Sequence, residues 1–142
     1  MTGKVLTFFL FDRLFGIDIT LVKEINRNVE YTPVPNSSPH IIGLINMRGQ
    51  VVTLFDIAML MGYEEKNREQ RVACIILKAQ PDDPSQVGFS IDKFGDVVDV
   101  EEDQCEPPPA NMGIISGEFV RSVVKLENNI LIVIEPEKVF RD

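Results

Sequence analysis

The chain has no tryptophan, a single histidine and only two cysteines among its 142 residues. Each scarcity removes a class of function. Zinc is held by sets of His, Cys and carboxylate ligands that one histidine and two cysteines do not supply. Cys74 lies in the apolar run Val72-Ala73-Cys74-Ile75-Ile76-Leu77 and reads as a small buried hydrophobe. Cys105 lies in an acidic stretch, where negative neighbours blunt a thiol. Two such cysteines make no disulfide framework. His40 stands between Pro39 and Ile41, with no Asp-x-His or Cys–His spacing around it, so it reads as a packing or loop residue. Glycine-rich phosphate loops and calcium-loop spacings are missing. No apolar run approaches the ~20 residues that span a bilayer. Met1-Thr2-Gly3-Lys4 leads straight into a strand pattern, without a signal-peptide core. Positive charge is also short. The formal net charge of −8 repels nucleic-acid backbones and anionic membrane surfaces. The expectation is a cytoplasmic protein with no catalytic residues, no metal, no cofactor, no nucleic-acid partner and no direct membrane insertion.

What is present is β-prone and apolar. Hydrophobic residues make up 44% of the chain, enough for a buried core without metal or disulfide staples. Val5–Phe11 and Leu14–Ile19 read as a hairpin around Asp12-Arg13. The β-branched residues of Val22–Asn28 favour a strand over a helix. Pro33, Pro35 and Pro39 mark a loop outside any sheet. Ile57–Met61 reads as a short helix, with Asp56 as its N-cap and Gly62 closing it. Glu64–Arg71 is charged with no apolar face and reads as a linker. Strands follow at Val72–Leu77, Val87–Ile91, Asp96–Val100, Phe119–Leu126 and Ile130–Ile134. A last short helix is expected from Pro136.

One stretch stands out. Ile41–Met47 and Val51–Phe55 flank a polar tip containing Asn46, Arg48, Gly49 and Gln50. Gly49 can take a positive φ there, so the chain reverses and holds a long cation, Arg48, on a stiff projection. The closing strand pair repeats this pattern. With Asp56 set against Glu135, no gap is needed back to Gly43 against Ser122. Arg48-Gly49-Gln50 then falls on Glu127-Asn128-Asn129. Upstream, Phe15-Gly16-Ile17 matches Val87-Gly88-Phe89. The chain therefore reads as one mostly β domain, 1–142, made of two related five-stranded lobes with short helices. The expected lobes are 13–66 and 67–142, with strand 4–11 free to complete either. Two lobes side by side create a cleft suited to a partner, with Ile91 and Val97 as groove candidates.

The residues Phe15-Gly16-Ile17-Asp18-Ile19, Val22-Lys23-Glu24-Ile25 and Thr32-Pro33-Val34-Pro35-Asn36 continue into Gly43-Leu44-Ile45-Asn46-Met47-Arg48-Gly49-Gln50. This pattern resembles the CheW family, the coupling proteins of bacterial chemotaxis, over nearly the whole chain. The resemblance implies two SH3-like β-barrel lobes packed side by side and an adaptor that performs no catalysis. It implies two partners: the cytoplasmic tip of a methyl-accepting chemoreceptor and the regulatory domain of a CheA-type histidine kinase. One lobe docks the kinase and the groove takes the receptor tip, which recruits the adaptor to membrane-associated arrays. By motif match the partner-binding residues are Val22, Glu24, Arg48 and Gly49. Three positions depart from the family pattern: Ser122 where glycine is common, Met47, and Pro136. A scaffold of another chemosensory circuit, such as pilus motility, and a small ligand-binding β-barrel are the alternatives.

Overall fold

The computed structural model describes residues 3–34, 40–60, 71–78, 86–107 and 119–136. Gly62, most of the charged linker, the residues from Pro35 to Pro39 and the closing helix beyond Pro136 lie outside these segments. Eleven strands are described. They are β1 Gly3–Leu10, β2 Arg13–Asp18, β3 Val22–Glu30, β4 Ile41–Met47, β5 Gln50–Phe55, β6 Arg71–Leu77, β7 Val87–Ile91, β8 Lys93–Val100, β9 Cys105–Glu106, β10 Val120–Lys125 and β11 Ile130–Ile134. One helical turn, α1, spans Ile57–Leu60. The buried Asp56 caps it by accepting from the Met59 N–H at 3.2 Å, which satisfies one of the orphan donors of a helix start.

The strands form a six-stranded sheet, β8-β1-β2-β11-β10-β9, and a five-stranded sheet, β3-β6-β7-β5-β4. The sixth strand of the larger sheet is only the two residues of β9. Each sheet curls around its own core. Val5, Val124, Leu131 and Val133 fill the six-stranded one, and Ile45, Val52, Leu54 and Cys74 fill the five-stranded one. A third, larger core joins them, with Phe8, Phe15 and Ile132 from one sheet and Ile75 and Phe89 from the other. Arg27 of β3 also reaches across to lie 5.2 Å over the Phe94 ring of β8.

The internal repeat is visible in the strand pairing. In the β4–β5 hairpin, Ile41 faces Phe55 and Gly43 faces Leu54, with a bulge between. In β10–β11, Val120 faces Ile134 and Ser122 faces Val133, with a bulge at the same step. Gly43, Leu54 and Phe55 are the residues that the ungapped sequence alignment matches to Ser122, Val133 and Ile134, and the strand pairing extends the match to Ile41 and Val120. The neighbours agree too. β5 runs parallel to β7 with Leu54 opposite Gly88, and β11 runs parallel to β2 with Val133 opposite Gly16.

The sheets nevertheless do not divide at residues 66 and 67. The five-stranded sheet takes the continuous stretch β3–β7. The six-stranded sheet joins β1 and β2 to β8–β11. The strand expected over 4–11 completes the six-stranded sheet, between β8 and β2. Thus the first hairpin of each sequence half has crossed to the second hairpin of the other half. The physical reason lies in edges. β5 and β11 each have one side that their hairpin partner leaves unpaired, and a strand from the opposite half fills it.

Candidate functional site

β3 and β4 are the opposite edges of the five-stranded sheet, yet the curl of the sheet brings them together. At one end of the seam the chain beyond β3 is tied to β4 by backbone. Thr32 donates to the Leu44 carbonyl and Leu44 donates to the Thr32 carbonyl, both at 2.8 Å. This closeness explains Gly43, because a Cβ there would run into the Thr32 carbonyl group. At the other end the link is a side-chain pair. Arg48 Nη2 lies 3.2 Å from Glu24 Oε2.

The tip that carries Arg48 is tighter than the sequence suggested. Met47 and Gln50 are still paired, so the turn is only Arg48 and Gly49, and Asn46 belongs to β4 opposite Val51. Both turn residues have positive φ, 55° and 82°. That conformation matches the twist of the flanking strands. It is easy for Gly49 and costly for an arginine. The Arg48 side chain is 80% exposed while Glu24 is 19% exposed. With one partner almost entirely in water, the pair contributes about 1 kcal/mol or less. Its guanidinium can therefore be offered to another acceptor at small cost. Beside it, Lys23 Nζ lies 3.4 Å from Gln50 Oε1 and 3.2 Å from Gln86 Oε1. Burial pushes the Cys74 thiol up to about 11, with the Glu24 charge adding to the effect.

The structure brings Glu24, Arg48 and Gly49 together and places Val22 at the start of the same strand. Val22 is half-buried, opposite Leu77 and against the shared core. The groove candidates fare differently. Ile91 is 6% exposed and sits inside the core between the sheets, so it is not a groove surface. It ends a strand whose inward face packs on the other sheet, a packing partner that local alternation does not show. Val97 is 48% exposed on β8, an edge strand of the other sheet.

Several surface residues were not among the binding candidates read from the sequence. Lys23, Gln50 and Gln86 form the polar bridge just described. Ile25 and Val51 are large exposed hydrophobics on the same sheet. The repeat pairs each of them with a counterpart. Ile25 faces Ile75 in β6 as Val97 faces Leu6 in β1. Val51 faces Asn46 as Ile130 faces Lys125. All four are exposed; Val97 was already a groove candidate, and the repeat was the signal that could have extended it to Ile25. The charges do not repeat. Glu24 faces Ile76 next to Ile25, and Asp96 occupies the matching place before Val97 in β8. Glu127 stands where Arg48 stands. One sheet pairs an acid with a base, and the other has two acids.

Among the described residues no group of three or more His, Cys, Asp or Glu side chains is placed to hold a metal ion. His40 stacks on Phe55 with ring centroids 6.1 Å apart, a packing role. No helix among the described residues is long and apolar enough to cross a membrane.

A family model described as the CheW-like domain matches residues 4–142. The chain is 28% identical over 136 residues to the chemotaxis protein CheW of Bacillus subtilis (strain 168), covering 96% of this chain and 85% of the relative. It is 28% identical over 137 residues to the chemotaxis protein CheW of Rhizobium meliloti (strain 1021), covering 96% and 86%. The crystal structure of the scaffolding protein TtCheW from Thermoanaerobacter tengcongensis matches with a TM-score of 0.85 and 27% identity, over 100% of this chain and 94% of that one.

Proposed function

The chain belongs to the CheW-like family, a family of chemotaxis scaffolds, and from that premise we propose that it couples chemoreceptors to a CheA-type histidine kinase in the cytoplasm. It acts by binding two partners at once and not by catalysis. The observation that carries this reading is the Glu24–Arg48 pair at the β4–β5 tip of the five-stranded sheet. A strained, exposed cation is held in place by a shielded carboxylate, with exposed Ile25 and Val51 on the same sheet. A partner surface gains apolar area from the two aliphatic residues. It gains orientation from the guanidinium, which presents a fork of donors to a carboxylate or a carbonyl.

Arg48→Glu tests it. The substitution sets a second carboxylate against Glu24 and reverses the offered charge. The expected result is a chain with unchanged circular dichroism and at least tenfold weaker co-sedimentation with receptor tips and kinase, a loss of about 1.4 kcal/mol or more. Wild-type protein that sediments with neither partner would remove the coupling role altogether.

A further inference from the structure

The two sequence halves, β1 through α1 and β6 through β11, are each incomplete alone. Within the first half the strand ladders are β1–β2 and β4–β5. β3 pairs with β6 of the second half. The outer side of β1 pairs with β8, and β5 and β2 pair with β7 and β11. Four ladders therefore cross between the halves. The shared core crosses as well, since Phe8 and Phe15 pack with Phe89 and Ile132. Separated, each half would expose strand edges on both sides and most of that core, which is unfavourable in water. The halves are complementary surfaces joined by one covalent crossing, through residues 61–70.

We propose that a second copy of this chain can supply the missing half, giving a dimer in which two copies exchange their C-terminal halves. Every ladder and core contact of the monomer recurs in such a dimer. The balance between the two forms is then set by protein concentration, not by new contacts. Interconversion requires four ladders to open, so each form persists once made. Val22, Glu24, Arg48 and Gly49 all lie in the first half, so each copy would carry its own docking site. The exchanged dimer is thus a bivalent version of the adaptor. The proposal rests on strand pairing and is independent of the coupling role.

The register supplies a test on the full chain. Glu30 of β3 faces Arg71 of β6, and both side chains are more than half exposed. One copy carries Glu30→Cys and another Arg71→Cys, both in a Cys105→Ser background. The copies are unfolded together, refolded at high concentration and oxidised. Exchange predicts that the disulfide-linked species is the heterodimer at twice the 16.0 kDa of one chain, without the homodimers, linked through the same position of both copies, that collision of exposed thiols would give. It also predicts that the heterodimer keeps its mass on dilution even after the disulfide is reduced. A control chain carrying both cysteines, refolded dilute, closes the bond within itself and shows that the positions can bridge. Closure in the control with no linked heterodimer in the mixture overturns the proposal. A dimer that assembles without the Glu30–Arg71 link, and falls apart on dilution, overturns it too, because that is surface association.

Discussion

Ser122 carries a hydroxyl into the protein interior and finds no hydrogen-bond partner there among the described residues. Its counterpart in the first half is Gly43, where the Thr32 carbonyl leaves no room for a side chain. The departure from glycine at Ser122 is therefore spatially admitted but leaves a polar atom unsatisfied. Ser122→Ala removes the orphan without opening a cavity and should stabilise the protein by about 1 kcal/mol. Thermal unfolding checks this through a midpoint raised by about 3–5 °C; an unchanged or lower midpoint speaks against it. Cys74 offers a pH test. Burial, with the Glu24 charge adding to it, pushes its thiol up to about 11 in the folded chain from an ordinary value of 9.0. The unfolded thiol thus ionises first, so the unfolded state binds fewer protons between these values. Stability should fall as pH rises from 9 toward 11 and be unaffected by this group below 8. Denaturant titrations of wild type and Cys74→Ala across that range read the difference, and parallel pH dependences would exclude the effect. That Cys74 is a buried small hydrophobe was legible from its apolar run. The carboxylate of Glu24 near it was not, because the two meet across strands.

At the scale of elements, the β4–β5 turn departs from the residues that local chemistry favours. A two-residue turn with both φ values positive favours Asn-Gly, and this chain has Arg48-Gly49. Arg48→Asn should therefore stabilise the hairpin by about 0.5–1 kcal/mol, the relief of the left-handed strain exceeding the loss of an exposed ion pair. The proposed coupling role predicts that the same substitution weakens partner binding. Denaturant unfolding and co-sedimentation on one variant read both effects, and a variant that loses stability would show that the ion pair outweighs the strain. The β10–β11 turn carries no such strain. It closes with Leu126 donating to the Asn129 carbonyl at 2.9 Å, and neither Glu127 nor Asn128 has a positive φ. Strands, hairpins and the Asp56 cap were readable because their signals lie within a few residues. Turn registers were not. The first hairpin turns at Phe11 and Asp12, with φ of 50° and 67°, and Arg13 opens β2 opposite Leu10. The sequence suggested Asp12-Arg13, since either frame leaves polar residues near the tip, and only pairing across the sheet chooses between them.

At the scale of the molecule, the shared core makes the two sheets one cooperative body. Phe8 is fully buried, with its ring 6.1 Å from Phe15 in its own sheet and 5.4 Å from Phe89 in the other. Phe8→Ala should cost about 3–5 kcal/mol and lower a single unfolding transition for the whole chain. Calorimetry showing two transitions, with one unmoved, would mean the sheets unfold separately. A large apolar interface also argues for sheets fixed relative to each other. The sequence by itself determined the β class, the short elements, the duplication and the tip that carries Arg48. These depend on side-chain alternation, turn residues and repeated order, all local properties of the chain. Tertiary structure decided which strands share a sheet, that Ile91 is core, and that Glu24 meets Arg48. Those outcomes depend on which free strand edge a distant hairpin fills and how far a sheet curls. Such choices are made by contacts between residues far apart in the chain, and no neighbouring residues encode them.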